Sequence, residues 1–195
     1  MLSLTQKERE ALLVLFKDFT SYYNAHSISK ILNISHVGAQ KIFKRLLNER
    51  LVVSKRIGKS IIYTPDFGND YLVQLLTFLL ADEANNFKRW KEEFKELDGR
   101  IVMMFGSAIK NYAQARDIDI MVVIKKSEIK WINTILKKKE EMLPKKLHAI
   151  KLTHQDLLEN IKKKDKAMVD IIKNAIILFG QREYVDILKN TEKIF

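Results

Sequence analysis

The chain of 195 residues has no cysteine, which excludes disulfides, thiolate metal sites and cysteine nucleophiles. Its two prolines, Pro65 and Pro144, act as punctuation, and its six glycines gather into no low-complexity segment. There is no internal repeat. The four histidines, His26, His36, His148 and His154, are scattered without ligand spacing, which argues against a zinc site. Long apolar runs are missing too. The longest, from Tyr71 to Ala81, is interrupted by Gln74 and Thr77 and is too short to span a bilayer. No charged-then-apolar leader pattern opens the chain. These absences lead us to expect a soluble, cytoplasmic protein with no membrane partner.

What is present is apolar bulk and positive charge. Hydrophobic residues make up 47%, enough for a real core, and the formal net charge is +11. Such a balance favours a polyanion partner: DNA, RNA, a nucleotide or an acidic membrane surface. The bland alternative is a lysine-rich proteome. The charge is uneven. Residues 1–67 carry eleven Lys/Arg against five Asp/Glu, and residues 125–151 carry nine Lys against three Glu. Between them, residues 68–98 carry seven acids against four bases.

In the first third, Thr5 is placed to cap a helix with Ala11, Leu12, Leu15, Phe16 and Phe19 on one face. Ser27 is read as the cap of a short second helix over 28–33. Ser35 caps a third, running to about Glu49, with Ala39, Ile42, Phe43, Leu46 and Leu47 inward. Its other face carries His36, Gln40, Lys41, Lys44 and Arg45. After Arg50 the period becomes extended over 51–57, Gly58-Lys59 turns the chain, and 60–64 returns to Pro65.

This order resembles the winged helix-turn-helix family. The turn Asn33-Ile34-Ser35, the start of the third helix and the Leu51-Val52 entry to the hairpin carry the resemblance. It implies double-stranded DNA as partner, with the third helix in the major groove. Ser35, His36, Gln40 and Lys41 are then expected at base edges. Lys44, Arg56 and Lys59 are expected at phosphates, which supply affinity rather than sequence choice. Winged helices also serve as interaction or dimerisation modules, which is the alternative.

Residues 69–98 read as one or two helices, broken near Asn85-Asn86. Tyr71, Leu72, Leu75, Leu76, Leu79 and Leu80 form one stripe, and Phe87, Trp90, Phe94 and Leu97 another. These stripes are expected to pack between two domains or against a second copy. Next comes the apolar run 101–105, then Gly106-Ser107, then Asp117-Ile118-Asp119 opening a second apolar run to Ile124. Strand side chains alternate, so Asp117 and Asp119 point the same way and repel unless a cation lies between them. Mg²⁺ takes one or two carboxylates plus substrate phosphates. Gly106 leaves room for a phosphate, and Ser107 offers a hydroxyl and an amide. Ser127 is read as capping a helix that Pro144 ends. A strand follows over 146–152, and Thr153 caps a helix to about Ile161. Met168 to Phe179 reads as an apolar helical pattern closed by Gly180.

Gly106, Ser107, Asp117 and Asp119 resemble the signature of nucleotidyltransferases related to DNA polymerase beta. In that family Ile-Ile-Leu-Phe-Gly near the C-terminus belongs to a short last strand and helix pair. The family's third carboxylate is missing here: no acid occurs between Glu141 and Asp156. His148 stands in that region, either as a base or as an ordinary strand residue. The expected class is α+β: a winged helix over 1–67, a helical connector over 68–98, and a nucleotidyltransferase-like sheet flanked by helices over 99–195. Two functions remain open. One is a DNA-associated nucleotidyltransferase moving a nucleotidyl group from an NTP with Mg²⁺ (or Mn²⁺), through Asp117, Asp119 and His148. The other is a non-catalytic winged-helix transcriptional regulator whose second domain senses nucleotide or mediates oligomerisation. A homodimer, and a partner protein encoded next door as in toxin–antitoxin pairs, are further expectations.

Overall fold

The computed structural model describes residues 3–192, so the outermost ends of the first and last expected segments lie outside the described residues. The chain is α+β and divides into two compact units, Met1–Leu79 and Leu80–Phe195. The division falls inside one helix of the stretch expected to connect them. No helix among the described residues is long and apolar enough to cross a membrane.

The first unit is a winged helix-turn-helix. Its order is α1 (Gln6–Lys17), α2 (Ala25–Ile31), α3 (His36–Asn48), then the hairpin β1 (Val52–Ile57) and β2 (Ser60–Pro65). Thr5 and Glu8 form a capping box that starts α1. The start of α2 corrects the expectation. Asn24, not Ser27, is the cap, and Ser27 answers it from the third helical position. Serine fits either place, and the reciprocal bond with Asn24 decides between them.

The tight turn before α3 needs a left-handed residue. Asn33 supplies it at φ 51°, donating its N–H to Lys30 while Ile34 donates to the Ser29 carbonyl. The same closing pattern ends α3 at Arg50 (φ 52°), where Leu51 donates to Leu46. A glycine-poor chain thus accepts strain at its helix ends, where two orphan carbonyls gain partners. Between the β strands Gly58 takes φ 59°, as a two-residue hairpin turn requires. Leu12, Phe16, Ile28, Phe43, Leu46 and Leu51 form a core at 0–1% exposure. Phe43 stacks on Tyr63 of β2 with ring centroids 3.8 Å apart, tying α3 to the wing. Each such buried side chain contributes about 1.5–3 kcal/mol.

The helix α4 (Asp70–Asn85) contains the unit division, and α5 (Lys88–Glu93) follows it. The second unit holds β3 (Ile101–Phe105), α6 (Ser107–Lys110), β4 (Asp117–Val123), α7 (Ile129–Met142) and β5 (Lys146–Leu152). It continues through α8 (His154–Lys162), α9 (Lys166–Asn174), β6 (Ile176–Phe179) and α10 (Gln181–Glu192). The sheet order is β5-β4-β3-β6, with β4 and β5 parallel and the other neighbours antiparallel. On one sheet face Val102, Met104, Ile118, Ile120 and Val122 share a core with Ile132 and Leu136 of α7.

Three expectations are corrected in this unit. Trp90, Phe94 and Leu97 lie in this same core, so the second apolar stripe is buried within the second unit. The helical pattern read over 168–179 stops at Asn174, and Ile176–Phe179 is a strand on β3. Four consecutive apolar residues carry no period that separates buried strand from helix. Ser127 lies inside a 3-10 turn, Lys126–Glu128, and does not cap α7.

Candidate metal centre and nucleic-acid surface

β4 alternates, sending Ile118, Ile120 and Val122 into the core at 0% exposure. Asp117 and Asp119 are therefore left together on the opposite face. The parallel register sets Asp119 beside His148 and Asp117 beside Lys146. His148 Nδ1 lies 3.5 Å from Asp117 Oδ2 and 3.5 Å from Asp119 Oδ1. One ligand atom from each of the three lies within 4.8 Å of the others. The side chains are half-open, at 33%, 20% and 48% exposure for Asp117, Asp119 and His148. Burial pushes the Asp119 carboxyl above the usual aspartate range, and the Asp117 charge adds to the rise. His148 opposes both. A positive charge is thus favoured between these groups.

The donor set has the size of a metal site. Two ligand atoms each about 2.1 Å from a tetrahedral Zn²⁺ lie about 3.4 Å apart, close to the imidazole–carboxylate spacings above. Two earlier expectations fall here. The scattered histidines argued against zinc, yet the strand register brings His148 to the aspartates across a helical crossover. The expectation of Mg²⁺ (or Mn²⁺) with an NTP is also overturned. The third member of the set is an imidazole, which suits Zn²⁺, Cu²⁺ or Ni²⁺, whereas Mg²⁺ and Mn²⁺ favour oxygen ligands.

Gly106 sits against Asp119 on the link from β3 to α6, and Ser107 opens α6. Gly106 adopts φ 79° and ψ −163°. A Cβ there would lie 2.2 Å from Asp119 Oδ2. The room that a glycine leaves is thus filled by the Asp119 carboxylate. Ser107 is exposed at the start of a helix of four residues.

On the first unit, Ser35, His36, Gln40, Lys41 and Lys44 are all exposed on α3, as are Arg56 and Lys59 on the wing. The Ser35 hydroxyl accepts the Gly38 N–H at 3.0 Å and so caps α3. His36, Gln40 and Lys59 converge on one cleft between α3 and β2. The other four do not line it. Arg45, read as part of the outer face, instead donates to both carboxylate oxygens of buried Glu8 at 3.1 Å. That pairing joins α1 to α3 and turns Arg45 from the outer face toward α1. Sequence reasoning passed over His26 and Tyr63, which line the same cleft. His26 stands in the first turn of α2, and the Asn24-x-x-Ser27 capping signal was the clue to where that turn begins.

No known protein family's profile matches the chain, and no curated protein matches it. Among solved structures it is similar to a mutant of Lactococcus lactis ZitR, at 16% identity and a TM-score of 0.35, covering 72% of this chain and 76% of that one. A ZitR mutant in complex with DNA is similar at 15% identity and a TM-score of 0.34, covering 73% and 77%. Likeness of that degree transfers no function, and the winged helix rests on the element order, the turn at Asn33 and the hairpin of the chain itself.

Proposed function

We propose that the chain is a winged-helix transcriptional regulator that grips double-stranded DNA. The second unit then holds a divalent ion of the Zn²⁺ kind on Asp117, Asp119 and His148. One observation carries the DNA reading: seven polar or basic side chains of α3 and the wing are exposed over a closed apolar core. Exposed cations at such a surface release counterions from DNA and give salt-dependent affinity. The strand, Gly-Ser, short helix and Asp-x-Asp strand support a nucleotidyltransferase-like origin for the second unit. The imidazole in its donor set favours a metal-holding role over nucleotide chemistry.

Gel retardation of duplex DNA across a salt series tests the first part. Lys44→Ala combined with Arg56→Ala should weaken binding to unrelated sequences alike. It should flatten the log–log salt slope by about 1.8, or about 0.9 per lost phosphate contact. A wild-type protein that retards no duplex at low salt refutes DNA binding. Calorimetric titration with Zn²⁺ tests the second part: His148→Ala should lose the binding that the wild type shows. Equal Zn²⁺ affinity in the two proteins removes these residues from the site.

A further inference from the structure

The cleft between α3 and the wing has a volume of about 300 Å³. It draws its lining from three elements: the start of α2, the N-terminal half of α3, and β2 with the turn before it. His26 and His36 face each other edge-on with ring centroids 6.2 Å apart. Lys59 and Gln40 close the cleft on the wing and α3 sides, and Tyr63 lies at the wall. Every lining residue is neutral or basic, with no Asp or Glu among them. Burial raises the Tyr63 hydroxyl above its ordinary range, which keeps it a hydrogen-bond donor. A cation finds no counter-charge here. An anion finds imidazole N–H groups, an ammonium, a primary amide and a phenol, the side-chain types that hold phosphate oxygens.

We infer that this cleft is a phosphate-group subsite, in which His26, His36 and Lys59 hold the oxygens and Gln40 and Tyr63 orient them. The inference rests on the DNA-binding reading where the phosphate is a backbone phosphodiester. The same chemistry would also take a small free phosphate ester. It makes α2 a contact element alongside α3 and the wing, through His26. His26 and His36 are both exposed, so their replacement leaves the core untouched.

Two measurements on the full chain test it. In the first, duplex affinity is compared for wild type and His26→Ala on two unrelated sequences. One lost hydrogen bond should lower affinity about fivefold on both. In the second, histidine ring resonances are followed by NMR while inorganic phosphate is added at fixed pH and ionic strength. His26→Gln and His36→Gln variants assign the signals. His26 and His36 should shift saturably, while His148 and His154, which do not line the cleft, stay still. Weakened duplex binding, or phosphate shifts that saturating duplex abolishes, identify the DNA backbone as the source. Shifts that persist with duplex bound, with His26→Ala affinity unchanged, identify a free phosphate ester. Unchanged affinity together with no saturable shift overturns the subsite, even if wild type binds DNA well. A wild type that binds no duplex yet shows the shifts defeats the DNA reading and leaves the subsite standing.

Discussion

Replacing Gly106 with alanine probes how the carboxylate pair is held. Its φ of 79° and ψ of −163° lie in a region that glycine alone occupies readily, and another residue there costs about 1–3 kcal/mol. The new Cβ would also meet Asp119 Oδ2 at 2.2 Å and Cγ at 3.1 Å. Ordinary contact requires the oxygen to retreat by about 1 Å. The Asp119 side chain can turn, but leaving its rotamer costs about 0.5–1.5 kcal/mol. Together Gly106→Ala should destabilise the second unit by about 2–4 kcal/mol, lowering its melting midpoint by roughly 10 °C. The assay is thermal unfolding by circular dichroism in chelator-treated buffer, for Gly106→Ala, Asp119→Ala and the double variant. The contact part belongs to the pair, so a coupling of about 0.5–1.5 kcal/mol should appear in the cycle. The backbone part should persist in the double variant. If Gly106→Ala melts with the wild type, or costs as much without the Asp119 carboxylate as with it, the proposed contact does not exist.

Two further outcomes concern the same unit. Asp119 has its carboxyl raised by burial and by Asp117. The folded state therefore holds its proton more tightly than the unfolded chain, and stability falls as pH rises through that window. Asp119→Asn should raise the metal-free melting temperature at neutral pH, and the gain should vanish in acid; a gain that is constant with pH contradicts the charge argument. At Gly180 the φ is 73°, and a Cβ would lie 2.7 Å from the Ile101 Cα and 2.8 Å from the Arg100 carbonyl oxygen. Backbone atoms cannot rotate aside, so Gly180→Ala should cost more than Gly106→Ala in the same melts, and a milder loss would show that β3 yields.

The elements that sequence patterns reveal are those whose signals are local. Ser35 as cap, the α3 core face at Ala39, Phe43 and Leu46, and the hairpin around Gly58 are set by neighbours within a turn or two. The edges of α2 were harder, because Ser27 fits both cap and third position and only its bond to Asn24 tells them apart. β6 was hidden because Ile176–Phe179 is apolar throughout; resemblance, not period, pointed to a strand there. The Arg45–Glu8 pair and the meeting of His148 with Asp119 join residues far apart in the chain. Nothing near either partner encodes the register that unites them; the resemblance, not the local pattern, set His148 with Asp117 and Asp119, and nothing foretold the Arg45–Glu8 pair.

His148 stands on β5, one of the two edge strands of its sheet, hydrogen-bonded to β4 on one side. An outer strand is the part of a sheet that peels away at the lowest free energy. An ion gripping Asp117, Asp119 and His148 would fasten that strand to its inner neighbour, and because it binds only the closed form, its concentration would set how often β5 detaches. Amide hydrogen exchange along Lys146–Leu152 would then slow in proportion to bound metal, while exchange in β3, enclosed on both sides, would hardly change. The second unit would thus turn the level of an ion into the accessibility of one strand's edge, a surface that another chain could pair with only when the ion is scarce.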